Sequence, residues 1–197
     1  MNSMIQYACR IAGLAALTVF ASPAAAASSA EAVFKKVAPS LVSIVDVEGS
    51  GTGIVLNKKG LVLSNHHVVS GLVKMKIFAV VWEGGRWRRR AYESVRVLSV
   101  HPEYDLALIQ IDAPGVEFRP IRFVRGGVKN GETAYVVGHP GGEGGIILEN
   151  TITEGIISSA ARTIERKRYI QTTAAINPGN SGGALCNAAG ELAGVVT

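Results

Sequence analysis

Cysteine is almost missing from this chain of 197 residues, which carries two, Cys9 and Cys186. A fold stapled by several disulfides is therefore excluded. Long hydrophobic runs are missing too. The longest run near the start, Ile11 to Phe20, is about ten residues, half of the roughly 20 that a membrane-crossing helix needs. Arg10 precedes that run, and Ser22 to Ala27 follows it with proline, alanine and small residues at each candidate cleavage position, the layout of a secretory signal peptide over residues 1–27. Cleavage near Ala26 or Ala27 removes Cys9 and leaves Cys186 without a partner, so burial alone must hold the exported chain together. Cys9 lies before the apolar run instead of after it, which argues against lipid attachment. The expected location is periplasmic or secreted, with no stable membrane anchor.

What the chain has in quantity is hydrophobic residues, at 48%, and a modest excess of base, with formal net charge +5. Much of that excess sits in Arg86, Arg88, Arg89 and Arg90 around Trp87. Interleaved base and aromatics can mark a nucleic-acid surface, but Glu83-Gly84-Gly85-Arg86 lies between two β-rich runs and reads as a solvated hairpin tip, so no nucleic-acid partner is expected. Ser28 with Glu31 has capping-box spacing ahead of Val33, Phe34 and Val37, and Pro39 ends the helix that these residues imply.

From Leu41 the pattern becomes one of short β-rich runs: 41–47, 52–56, 61–64, 73–82, 91–100 and 106–111. A less regular stretch with Pro114, Pro120 and Gly126-Gly127 separates these from a second set at 133–137, 146–157, 168–172, 184–186 and 191–197. The division is therefore a helix and first β-unit over 28–112, a linker over 113–131 and a second β-unit over 132–197. Sandwich and barrel remain equally open on this pattern.

Three segments carry chemistry. Ser64-Asn65-His66-His67-Val68-Val69 closes a β-run with two histidines, Asp105 stands at the mouth of the apolar run Leu106-Ala107-Leu108, and Asn177-Pro178-Gly179-Asn180-Ser181-Gly182-Gly183 is a glycine-rich turn around a serine. Acyl transfer at neutral pH needs a nucleophile, a base to take its proton and a carboxylate to hold the base in one tautomer. Each segment alone has an ordinary structural explanation; their combination points to that chemistry.

These segments resemble the His, Asp and Ser motifs of the trypsin-like serine proteases, closest to the heat-shock proteases of the HtrA/Deg type. The histidine motif of that family, Thr-Asn-x-His-Val-Val, matches Ser64 to Val69 and selects His67 over His66. The serine motif, Asn-x-Gly-Asn-Ser-Gly-Gly-x-Leu, matches Asn177 to Leu185. The resemblance implies an all-β, chymotrypsin-like fold of two antiparallel six-stranded-type barrels, with catalytic His67, Asp105 and Ser181 and an oxyanion hole over Gly179, Asn180 and Ser181. It implies endopeptidase action on unfolded or damaged envelope proteins without a metal or organic cofactor. Asn180 stands where digestive relatives carry an activating Asp, so proteolytic activation is not expected.

Ala175 and Ile176 precede the nucleophile where a charge-selective relative has an acid, which implies an apolar pocket for small aliphatic side chains. His139, in Gly138-His139-Pro140-Gly141-Gly142, is expected to be a loop residue. Thr173 replaces an Asp found in many relatives. The family's second barrel has further strands after the position of Thr197, so the barrel is expected to be incomplete here, with 191–197 a poorly supported strand. That shortness keeps a second reading open, a catalytically inactive protease-fold protein that binds polypeptides. The oligomeric state stays open, a homo-oligomer included.

Overall fold

The structure is a computed structural model and describes residues 29–46, 49–71, 74–139 and 150–197. The signal-peptide segment and the start of the 146–157 run lie outside the described residues, and the helix cap expected at Ser28 is Ser29. The described chain opens with α1 (Ala30–Val37), capped by Ser29, whose side chain accepts from the Ala32 amide. Val33 and Val37 form its buried stripe, and a short 3₁₀ turn, Ala38–Ser40, carries Pro39 into the first strand.

Eight strands make the first sheet: β1 (Leu41–Val45), β2 (Ser50–Val55), β3 (Leu61–Ser64), β4 (Lys76–Glu83), β5 (Arg86–Tyr92), β6 (Val95–His101), β7 (Leu106–Ile111) and β8 (Glu117–Phe118). Their order is β5-β4-β1-β2-β3-β7-β6, with β8 beside β4. A four-residue helix α2 (His66–Val69) follows β3. The second sheet holds β9 (Thr133–Gly138), β10 (Thr151–Ile164), β11 (Lys167–Thr172), β12 (Ala184–Asn187) and β13 (Leu192–Val195) in the order β11-β10-β9-β12-β13. Every strand pairing is antiparallel. The architecture is the chymotrypsin-like one.

The expected arginine-bearing tip and single strand over 91–100 need correction. Gly84 and Gly85, both with positive φ, form the two-residue turn, and Arg86 to Arg90 lie on β5 opposite Glu83 to Ala79 on β4, with Trp87 facing Trp82. β5 ends the sheet, and an edge strand with wet faces accepts charge that a central strand would not. The linker is also more ordered than its composition implies. Phe118 is buried in the first core, and the Ile121 amide donates to the Val55 carbonyl at 2.9 Å.

Burial follows the pleat. On β9, Ala134 and Val136 face the core of the second unit, while Tyr135 and Val137 face a middle cluster with Val33, Val37, Leu41, Ile54, Ala184, Cys186 and Leu192. Alternate side chains thus serve two apolar layers, so the run shows no polar alternation. The middle cluster fastens α1 and both sheets together. The Cys186 thiol lies in it, and burial pushes its pKa up to about 12 despite the Lys36 ammonium, leaving it a small apolar side chain and not a nucleophile.

Candidate active site

Asp105 is placed by its backbone before its carboxylate does anything. The 3₁₀ turn Pro102–Tyr104 delivers it at φ 52°, a left-handed conformation that aspartate tolerates better than most residues. Its carbonyl accepts from the buried Asn65 side chain at 2.9 Å and from the His66 amide at 3.1 Å, which ties the mouth of β7 to the start of α2. One carboxylate oxygen, Oδ1, then accepts the His67 amide at 2.9 Å; the other, Oδ2, meets His67 Nδ1 at 2.6 Å and accepts from the Thr197 hydroxyl at 2.9 Å. Burial alone would raise the Asp105 pKa, but the His67 amide, the His67 ring and Thr197 together hold the carboxyl below its ordinary value. It stays ionised at neutral pH. With Nδ1 committed to the carboxylate, Nε2 is the ring nitrogen left to accept a proton. The ring that meets Asp105 is that of His67; His66 contributes its amide.

The serine turn is built from two tight reversals. The Asn180 amide donates to the Asn177 carbonyl at 3.0 Å across Pro178-Gly179, with Gly179 at φ 91°, the arrangement of a type II turn. The Gly183 amide donates to the Asn180 carbonyl at 2.8 Å across Ser181-Gly182, with Gly182 at φ 80°. The Gly182 amide goes to Val196 and the Asn180 amide to Asn177. Among the described residues, the backbone bonds of this turn leave the amides of Gly179 and Ser181 uncommitted.

Thr52 on β2 couples that turn to the first sheet. Its amide donates to the Ser181 carbonyl at 2.8 Å, its hydroxyl donates to the Gly179 carbonyl at 2.9 Å, and the same hydroxyl accepts the His139 amide at 2.9 Å. The Thr52 carbonyl accepts from the Ser64 hydroxyl at 2.6 Å. Gly182 is pressed against this bridge: a Cβ there would lie 2.0 Å from the Thr52 carbonyl oxygen and 2.4 Å from Ser64 Oγ. Ser64 stands three positions before His67, so the serine turn and the histidine helix meet at one seam. No hydrogen bond joins the Ser181 hydroxyl to His67 among the described residues; such bonds commonly tighten only with substrate in place.

The segment after β12 is firmer than its sequence implies, which corrects the poorly supported strand. Although β13 pairs with only one strand, the Val196 amide donates to Gly183 and its carbonyl accepts from Gly182, both at 2.9 Å, and its side chain is buried. Thr197 then reaches Asp105. His139 is a buried support: beyond its amide bond to Thr52, its Nδ1 accepts from the Asn150 amide at 3.0 Å. Thr173 replaces a charged support with a mutual bond, since its hydroxyl accepts from the Ile156 amide and its amide donates to the Ile156 carbonyl, each at 3.0 Å.

Beside Thr197 lies a cavity of about 280 Å³, lined by Ile176, Ile170, Leu185, Val196 and Arg168 among others. Ala175 does not line it; its carbonyl accepts from the Thr153 hydroxyl. On the far hairpin, Glu83 accepts from Arg90, and Arg89 lies over the Phe78 ring at 4.2 Å. Among the described residues no cluster of metal-binding side chains occurs, and no helix is long and apolar enough to cross a membrane. Sequence reading assigned no role to Thr52 or Thr197 and placed Ser64 and Asn65 only within the histidine motif. The signal for Thr52 was a hydroxyl between Gly51 and Gly53 in an otherwise apolar strand.

The carboxylate–imidazole pair and the glycine-rich serine turn thus lie at one seam. Comparison with known proteins supplies the family. Residues 51–195 match the trypsin-like peptidase domain, and the chain belongs to that family. HhoB of Synechocystis sp. is 37% identical over 160 residues, covering 76% of this chain and 34% of HhoB. Protease Do-like 1, chloroplastic, of Arabidopsis thaliana is 33% identical over 158 residues, covering 76% of this chain and 33% of that protein. The crystal structure of Deg5 superposes with TM-score 0.70 at 31% identity, covering 83% of this chain and 81% of Deg5. The relatives are of the HtrA/Deg type, and the chain spans about a third of the length of these two curated ones.

Proposed function

We propose that the protein is a serine endopeptidase that cleaves unfolded or damaged envelope proteins through an acyl-enzyme. Ser181 is the nucleophile, His67 the base and Asp105 the group that orients and stabilises the imidazolium. The observation that carries this reading is the pair of bonds from Asp105 to one histidine: the amide on Oδ1 and the ring on Oδ2 leave the imidazole one orientation, with Nε2 turned outward.

In the first step His67 Nε2 takes the Ser181 proton as Oγ attacks the scissile carbonyl carbon, and the C=O π pair moves onto oxygen. The uncommitted amides of Gly179 and Ser181 are the oxyanion donors; the Asn180 amide is spent within the turn, so Asn180 serves the loop and not the anion. His67 then returns the proton to the leaving nitrogen as the C–N bond breaks. Water repeats the cycle on the ester and frees Ser181. No step calls on a metal or organic cofactor.

Ile176 and its apolar neighbours offer a small aliphatic side chain an apolar surface, and Arg168 on the same lining disfavours a basic one. Export to the periplasm or beyond places the enzyme with such substrates. Ser181→Ala is the test: turnover of an unfolded polypeptide should vanish while the thermal transition stays in place, and the parent should label at Ser181 with a fluorophosphonate. A folded parent that neither labels nor cleaves would favour the polypeptide-binding reading.

A further inference from the structure

A second site lies between α1, the linker and the β12–β13 turn. A cavity of about 180 Å³ opens there, lined by Lys36, Ser40, Arg119, Ile121, Arg122 and Gly190 with Pro120 between the arginines. Three cations surround it and no acid does. The two nearest acids in sequence are occupied: Glu117 takes the Lys58 ammonium at 3.0 Å, and Glu191 accepts from the Asn187 side chain at 3.1 Å. Among the described residues neither Arg119 nor Arg122 has an ion pair, and the Arg119 guanidinium lies over the Trp87 ring at 6.0 Å.

The frame around these cations is fixed. Ile121, between the arginines, is buried and its amide is held by Val55, while the Arg122 carbonyl accepts the Leu192 amide at 2.7 Å. Lys36 is held by the Ala189 carbonyl, and its stem lies across Gly190, where a Cβ would come within 3.1 Å of Lys36 Cδ. Basic side chains on a pinned backbone cost little to organise around an anion, and a phosphate group has oxygens for more than one guanidinium fork where a single carboxylate fills one. We infer that this cavity binds a phosphate-type dianion, free in solution or as the headgroup of an anionic lipid, and that binding clamps α1, the linker and the β12–β13 turn together.

The test starts with inorganic phosphate titrated into the protein at constant ionic strength set with sodium chloride, read by calorimetry and by thermal melting, with acetate as a control. A saturable rise in melting temperature is expected, and at 100 times the dissociation constant the ratio of folded to unfolded chain should be about 100-fold higher. The double variant Arg119→Gln, Arg122→Gln should lose that response while keeping the parent's melting temperature in chloride and its peptidase rate. Vesicles of phosphatidylglycerol and phosphatidylcholine separate the sources. Sedimentation that free phosphate competes away and the double variant lacks identifies the headgroup; saturable phosphate binding without sedimentation identifies the free ion. No saturable binding in either arm, an equal effect of acetate, or an undiminished response in the double variant would overturn the site.

Discussion

Asp105→Asn is the sharpest perturbation of this site, because its carboxylate oxygens face different obligations. Oδ2 accepts the ring at 2.6 Å and Thr197 at 2.9 Å, while Oδ1 accepts the His67 amide at 2.9 Å. Asparagine has one acceptor oxygen for these two positions. If its NH₂ takes the Oδ2 position, it donates to Nδ1, the ring proton moves to Nε2, and Nε2 cannot receive the serine proton. If it takes the Oδ1 position, two donors face each other across 2.9 Å, at about 1–3 kcal/mol for the unmade bond. The first arrangement therefore wins, and it is the wrong tautomer. Substitutions of this kind lower turnover about 10,000-fold, or roughly 5.5 kcal/mol of transition-state stabilisation. The assay is kcat/KM on an unfolded polypeptide, with circular dichroism to show an intact fold. A folded variant within about tenfold of the parent would refute the tautomer argument and, with it, the role given to Asp105.

Thr52→Val keeps the shape of the side chain but removes the donor to Gly179 and the acceptor for His139; a stability loss of about 1–3 kcal/mol by denaturant titration and a fall in kcat larger than any rise in KM are expected, since the oxyanion turn is what loosens. Gly182→Ala forces a Cβ to within 2.0 Å of the Thr52 carbonyl at φ 80°, and should cost about 3 kcal/mol or more, read as a large drop in melting temperature; a variant melting like the parent would mean the turn is not where it is described. Because the folded-state pKa of Asp105 is lowered, its contribution to stability is fully present above the unfolded carboxyl value, near ~3.9, and is lost as pH falls through the lower folded value. The melting temperatures of parent and Asp105→Asn should thus keep a steady offset from neutral pH down to about pH 4 and converge below it, the parent losing more; an offset that already shrinks near neutrality would contradict the sign.

Where one physical signal dominated, the sequence was readable residue by residue. β3 and β7 span 61–64 and 106–111 as their hydrophobic runs indicate, because both are inner strands whose length is set by burial. β5 and β6 were not readable: Arg86 to Arg90 look like a turn because charge is usually excluded from sheets, and only the edge position of β5, invisible in one sequence, removes that objection. β13 misled in the opposite direction. Counting sheet neighbours leaves it weak, but its support comes from the backbone of the nucleophile turn, a contact between segments that no periodicity encodes.

The proposed reactive side chains were legible for a reason that their supports lack. His67, Asp105 and Ser181 sit in motifs whose chemistry restricts residue type, whereas Thr52, Ser64 and Thr197 act through hydroxyls that many positions carry. Yet those hydroxyls set the geometry. Thr52 joins β2 to the serine turn, Ser64 joins β3 to Thr52, and Thr197 joins the second unit to the carboxylate that orients the first unit's histidine. The Thr52 and Thr197 bonds cross between the two units, so a shift of one sheet against the other would move the proposed nucleophile away from the His67–Asp105 pair. Such coupling would make the proposed activity depend on the packing of the middle apolar layer, in which α1, β2, β9 and β12 share side chains, and not on the proposed reactive groups alone.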